Sequence, residues 1–278
     1  MRPRHARLWA GPFSASKGFG ANFLLQLSPN ANPGTFPLAC VRNAASYGIG
    51  PIAPGGILAL FGNGLGPQQG IQMQATPQSP FPTQAANVQV TFDGTPAPLL
   101  WVQDTQINVI APWSLTPGQT TQVCASYNGV KAKCLNWPVA QTSPGVFTVD
   151  GSHAAALNQD GTVNSAANPA ARGSIVSVFA TGLGPITPPQ SDGTLVGVPL
   201  PANDLMVYGY AHSMIFSILN SRFVPASRIL ELTYKGPAPY LVAGTSQINF
   251  KVTEDPGGFW ITVLSAQSQT FAVYVAGQ

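Results

Sequence analysis

Ile57-Leu58-Ala59-Leu60-Phe61-Gly62-Asn63-Gly64-Leu65-Gly66-Pro67 returns as Ile175-Val176-Ser177-Val178-Phe179-Ala180-Thr181-Gly182-Leu183-Gly184-Pro185, at a constant offset of 118 residues. A second stretch, Pro96-Ala97-Pro98-Leu99-Leu100 through Gln106-Ile107-Asn108, returns as Pro237-Ala238-Pro239-Tyr240-Leu241 through Gln247-Ile248-Asn249 at an offset of 141. Self-similarity at a fixed spacing marks a repeated unit, so the chain carries two copies of one fold. The second copy is longer by the difference of the offsets, 23 residues. That excess falls around Met206 to Arg228, where Met214-Ile215-Phe216-Ser217-Ile218-Leu219 reads as an additional strand.

Each unit reads as strands between turns. Asn87-Val88-Gln89-Val90-Thr91-Phe92 alternates apolar and polar before Asp93-Gly94, and Gln106–Ile110, Gln247–Val252 and Thr270–Val275 alternate likewise. Period-two patterning bounded by turn dipeptides is the signature of half-buried strands. Composition agrees. Only 8% of residues are charged, 27 are proline and 29 glycine, against roughly 25% charged in an ordinary soluble protein. Exposed helical faces are built from Glu, Lys and Arg, and glutamate occurs only at Glu231 and Glu254. The expected fold is all-β: two tandem immunoglobulin-like β-sandwiches. The expected bounds are 41–149 and 150–278, with an extra segment near 206–228, and 1–40 is read as a leader or the remnant of an upstream domain.

Charge and hydropathy exclude several roles. Of twelve cations, Arg2, Arg4, Arg7 and Lys17 lie at the start, and the rest of the chain balances 8 cations against 9 acids. No cationic stripe exists for a phosphate backbone, so nucleic acid is not an expected partner. No run of about 18 apolar residues offers a membrane span. Met1 to Phe13 begins like a signal peptide but lacks the apolar core of about 7 to 15 residues.

Cys124 and Cys134 flank the Asn128-Gly129 dipeptide within two apolar-rich arms. Asn-Gly is the strongest short hairpin signal. A three-residue tip places the two cysteines opposite one another, within reach of a cross-strand disulfide, and a disulfide points to an oxidising compartment. The competing reading is two reduced, half-buried thiols. Cys40 is left over.

Asn43-Ala44-Ala45-Ser46-Tyr47, Ala53-Pro54-Gly55-Gly56 and Phe61-Gly62-Asn63-Gly64-Leu65-Gly66, taken in order, carry a family resemblance. Further landmarks are Asp93–Leu100, Gln106–Asn108, Ser143-Pro144-Gly145-Val146-Phe147, Asn158–Asn164, Asn168-Pro169-Ala170 and Ala180–Gly184. Together they resemble an uncharacterised C-terminal domain family of large secreted bacterial proteins, acidobacterial ones especially, similar in character to tandem IPT/TIG domains. The resemblance implies an extracellular or cell-surface setting and no established activity. Gly18–Ala31 resembles the closing strand of a bacterial β-propeller repeat, which implies that the chain is the C-terminal piece of a longer secreted protein.

The sequence offers few chemical sites. Gly62–Gly66 follows a strand but leads into Pro67, not into the helix that a dinucleotide loop requires. Its glycines instead permit a tight turn, with Leu65 and Leu183 expected to plug the sandwich ends. Asp150, Ser152 and His153 are neighbours in sequence, and a triad is defined by geometry. No segment supplies a metal ligand set. Asp93-Gly94, Asp160-Gly161 and Asp192-Gly193 read as turns, with calcium at the domain junction the competing reading. Gln106, Asn108, Gln247 and Asn249 read as structural hydrogen-bonding groups. No catalytic, metal or cofactor residue is expected. The candidate ligand surface comprises Trp101, Trp113, Trp137, Tyr208, Tyr210 and Tyr240. The expected role is a non-enzymatic extracellular module that spaces or anchors the other domains of its parent protein. The alternatives are a carbohydrate-binding or adhesive module, for a surface polysaccharide or protein, and an accessory domain of a secreted hydrolase.

Overall fold

A computed structural model of the protein describes residues 38–217, 222–252 and 258–277. The described residues contain strands and turns and no helix, and so no helix long and apolar enough to cross a membrane. His5 and the propeller-like run Gly18–Ala31 lie outside them.

The first sandwich uses β1 (Leu38–Asn43), β2 (Ile57–Gly62), β3 (Val88–Phe92), β4 (Leu99–Val102), β5 (Gln106–Ile110), β6 (Thr120–Tyr127) and β7 (Leu135–Pro138). One sheet runs β1-β2-β5-β4, with Ile71–Gln72 at its edge. The other places β6 between β7 and β3. Val88, Val90 and Phe92 point inward and are essentially inaccessible, as their alternation predicts, and meet Leu58, Leu60, Ile107 and Val109 from the facing sheet. β2 is apolar without alternation because both its faces are covered. Leu58 and Leu60 fill the core, while Phe61 packs beside Tyr47 on the outer side.

The second sandwich uses β8 (Ile175–Thr181), β9 (Val207–Ser217), β10 (Arg222–Ile229), β11 (Leu232–Pro237), β12 (Thr245–Lys251) and β13 (Phe259–Val263). One sheet runs β8-β12-β11, with Gly145–Val146 and Ala156–Leu157 paired along β8. The other runs β10-β9-β13 and ends in Ala266–Gln267.

The repeat is exact at the centre of each unit. Leu58 pairs with Val109, and adding the two offsets gives Val176 with Phe250, the pair observed. Gly64 and Gly182 both adopt positive φ, and Leu65 and Leu183 are buried at the ends of their cores. Beside this pair the copies diverge. In the first, β4 lies against β5. In the second, Tyr240–Ala243, the sequence counterpart of β4, forms a turn, and β11 takes its place against β12. The inserted residues explain this: the chain leaves β10 and, after Leu230-Glu231, runs directly into β11, which reaches β12 first. Both substitutes bulge at the same position, Leu99/Trp101 opposite Val109 and Asn108, and Leu232/Tyr234 opposite Phe250 and Asn249. The excess therefore extends β9, the counterpart of β3, beyond its pairing with β13 and adds the edge strand β10 folded back on it, rather than a separate strand at Met214–Leu219. Pro225 lies in β10, the edge strand, where a missing donor is tolerated.

Cys124 and Cys134 are disulfide-bonded, with Cα atoms 4.4 Å apart. The hairpin tip differs from expectation. Val130 pairs with Tyr127, so the loop is the two residues Asn128-Gly129, both at positive φ. The register then slips by one around Ala132-Lys133, because Leu135 pairs with Val123, and this slip brings Cys134 opposite Cys124. Buried Ala132 fills the bulge, its N–H donating to the Ala125 carbonyl.

The run Thr270–Val275 buries Phe271, Val273 and Val275 in turn, but it makes isolated bridges, not a ladder. Side chains stand in for strands around it. Asn164, buried, accepts from Tyr274 N–H and donates to Tyr274 C=O, so one amide side chain acts as the missing peptide neighbour. Gln269 engages both backbone groups of Val146 in the same way.

Candidate functional site

The two sandwiches share a junction. Ile57 and Ile110 of the first contact Val242 of the second in one buried cluster, flanked by Ala44, Phe81, Phe147 and Leu195. Thr181, fully buried, accepts a hydrogen bond from Ile57 N–H at 2.9 Å and donates to the Gly244 carbonyl at 2.7 Å. Gly244 sits at φ 120°, and a Cβ there would lie 2.2 Å from the Gly55 carbonyl oxygen, so only glycine fits. Asp192 accepts from Trp113 N–H, and Phe81 N–H donates to the Gly193 carbonyl. The cavity left at this seam is about 10 Å³, room for about one water. A larger hollow of about 280 Å³ opens at the end of the first sandwich, over Phe92, Leu115 and Val139.

The acidic turns are satisfied by protein donors. Asp93 accepts from Thr121 Oγ1–H and Gln122 N–H, and Asp160 from Thr162 N–H and Oγ1–H. Hydrogen bonds from the Thr162 side chain and backbone hold the exposed Asp160 carboxyl below its ordinary value. Asp192 is used across the junction, as above. Among the described residues, no three His, Cys, Asp or Glu side chains gather into a metal-binding group. Turn chemistry accounts for these pairs.

Asp150, Ser152 and His153 do converge. His153 Nδ1 lies 2.7 Å from Asp150 Oδ2 and 3.2 Å from Ser152 Oγ, while Ser152 Oγ–H donates to Asp150 Oδ1. A triad requires serine on one ring nitrogen and aspartate on the other. Here both converge on Nδ1, and the ring stacks on Tyr274 with centroids 4.0 Å apart. The cluster is a turn lock. Partial burial pushes the Asp150 pKa up, but hydrogen bonds from the N–H groups of His153 and Ser152 and from both side chains outweigh it, so the carboxyl is held well below the usual range.

The repeated amides bond to each other. Gln106 Nε2–H donates to Asn108 Oδ1 at 2.8 Å, and Gln247 to Asn249 at 2.9 Å, while Ile107 and Ile248 face the cores. The bond runs along the strand between neighbours on one face, rather than outward or to loop backbone.

The six aromatics singled out from sequence fall into different places. Trp101 lies over Gly70 and Trp113 over Gly55, each so close that a Cβ would collide with the indole. Trp137 is half-buried and donates Nε1–H to the Gly50 carbonyl. Tyr240 is exposed, in the turn before β12. Only Tyr208 and Tyr210 share a face, the outer side of β9. There Tyr210 pairs across the sheet with Ile229 on β10 and with Trp260 on β13, and Tyr208 with Thr262. Tyr210 and Trp260 stack, with ring centroids 5.5 Å apart and planes 11° from parallel. The Lys235 ammonium lies 5.8 Å over the Tyr208 ring and donates to the Val207 carbonyl. Trp260 was not singled out from sequence. The alternation of Phe259-Trp260-Ile261-Thr262-Val263 carries the signal, since it sets the indole opposite the buried Phe259, Ile261 and Val263. His212 pairs with Ser227 one row beyond; its side chain lies outside the described residues.

Compared with known proteins, the chain matches no family model and no curated protein. Among solved structures it is similar to a surface glycan-binding protein, PbSGBP-B of Prevotella bryantii, at 11% identity and a TM-score of 0.26, over 87% of this chain and 42% of that one. It is also similar to SGBP-B from a complex xyloglucan utilization locus of Bacteroides uniformis, at 11% identity and a TM-score of 0.24, over 87% and 49%. The chain thus spans less than half the length of these two neighbours. Likenesses this remote leave the functional case to the chain's own residues.

Proposed function

We propose that this chain is an exported, non-enzymatic module that holds attached domains of a larger surface protein at a fixed separation. The junction carries the reading. A buried hydroxyl tied to both sandwiches, a glycine with no room for a side chain and a shared apolar cluster suit a rigid strut rather than two beads on a string. The Cys124–Cys134 bond suits an oxidising setting. Mass spectrometry of the unreduced protein from its native source, after protease shaving of intact cells, tests this. The expected result is shaved peptides carrying the disulfide, within a polypeptide longer than this chain. Recovery from the cytosolic fraction with three free thiols overturns it.

A second reading is favoured by one observation, the gathering of Tyr208, Tyr210 and Trp260 on one outer face. On this reading the module also binds polysaccharide, since aromatic rings stack on the apolar faces of sugars while neighbouring polar groups meet their hydroxyls.

A further inference from the structure

The outer face of β9 and β13 is ordered in rows. Ile229, Tyr210 and Trp260 form one row across three strands, and Tyr208, Thr262 and Gln267 the next. Met206 and Leu264 flank Val207 and Val263, which pair at the end of this ladder, and are 58% and 57% exposed. Residues two apart on a strand stand about 7 Å apart, and neighbouring strands about 4.8 Å. The rings therefore cover a patch a few sugar units in extent.

Charge decides what this patch accepts. Among the described residues, Lys235 is the cation that reaches it, and its ammonium is already engaged by the Tyr208 ring and the Val207 carbonyl. Arg228 pairs with Ala211 and so has the opposite parity on the strand. Glu231 follows Leu230, where the chain leaves for the other sheet. Among the described residues, a polyanion would find no row of cations here and a polycation no row of acids. What remains is aromatic and aliphatic surface interleaved with neutral groups: the two phenol hydroxyls, Thr262 and Gln267.

Resting on the second reading above, we propose that the Tyr208–Tyr210–Trp260 face binds a neutral polysaccharide and discriminates against uronic-acid polymers. Apolar contact with the rings supplies the affinity, and the uncharged rim sets the selectivity.

Native gel electrophoresis of the whole chain through gels containing a mixed-linkage β-glucan, an arabinoxylan, a galactomannan or polygalacturonate tests this. Retardation is expected with at least one neutral polymer and not with polygalacturonate. Tyr208→Ala, at a side chain 41% exposed, and Trp260→Ala should each weaken binding at least tenfold, while Tyr240→Ala leaves it unchanged. Circular dichroism checks the fold of each variant. Retardation by a neutral polymer that survives Tyr208→Ala and Trp260→Ala overturns the assignment of the face but leaves the polysaccharide reading standing, as does binding to polygalacturonate alone. Binding to no polymer removes both. A dimer in solution that Trp260→Ala dissolves, with no polysaccharide bound, makes the face a protein interface and overturns the proposal.

Discussion

Replacing Thr181 by valine keeps nearly the same shape and deletes one hydroxyl. That hydroxyl accepts from Ile57 N–H and donates to the Gly244 carbonyl, and no part of the side chain reaches solvent. The substitution leaves a buried donor in one sandwich and a buried acceptor in the loop between β11 and β12. Each unpaired buried group costs about 1–3 kcal/mol, so Thr181→Val is expected to destabilise by about 2–6 kcal/mol without opening a cavity. Thr181→Ser keeps the hydroxyl and removes one methyl group, which costs about 1 kcal/mol. Urea unfolding followed by tryptophan fluorescence, extrapolated to water, measures both. Because the bond lost from Ile57 N–H spans the junction, the valine variant should also separate one transition into two. A valine variant within about 0.5 kcal/mol of the parent, with the serine variant more damaged, would refute the claim that this hydroxyl fastens the two units.

Cys124→Ser with Cys134→Ser opens a loop of sequence separation 10 and should cost about 2–3 kcal/mol, visible as a lowered Tm that reductant reproduces in the parent. Asn164→Ala unpairs both backbone groups of Tyr274 and should cost about 2–4 kcal/mol in the same urea assay, with Asn164→Asp no better, because a carboxylate cannot donate to the carbonyl. The depressed Asp150 pKa makes a stabilising contribution that is complete above the unfolded carboxylate value, near pH 4, and is lost as pH falls toward the folded value. Asp150→Asn should flatten that acid limb of a stability-versus-pH curve; an unchanged limb would count against the turn lock.

Legibility in the sequence followed locality. The central pairing of each sandwich was readable because its two motifs carry constant offsets, and the same residues fix the register in both copies. The disulfide was readable because Asn128-Gly129 marks the tip, although the bulge that aligns the cysteines was not, since nothing in Ala132-Lys133 announces an extra residue. The replacement of β4 by β11 was hidden by the repeat itself: Pro237–Leu241 copies Pro96–Leu100 in sequence, but which segment reaches the sheet depends on the path taken by the inserted residues. Tyr234 thereby stands where Trp101 stands, with no alignment to suggest it. The aromatic face escaped for a related reason. Trp260 meets Tyr210 only through a ladder between segments fifty residues apart in the chain, whereas the tryptophans conspicuous in sequence, Trp101, Trp113 and Trp137, are held down by their own surroundings.

The amide side chains that complete the second sandwich have an environmental consequence. Asn164 and Gln269 do, with uncharged groups, what ion pairs do in many surface-rich proteins. Such bonds neither titrate nor weaken as counterions crowd in, because no net charge is there to screen. Away from the turns held by Asp93, Asp150, Asp160 and Asp192, a body held this way keeps its shape through swings of salinity and acidity that would loosen a fold stitched together by carboxylates and ammonium groups. Its tolerance ends instead with slow hydrolysis of the amides themselves, which would turn a mute hydrogen-bonding group into a buried charge.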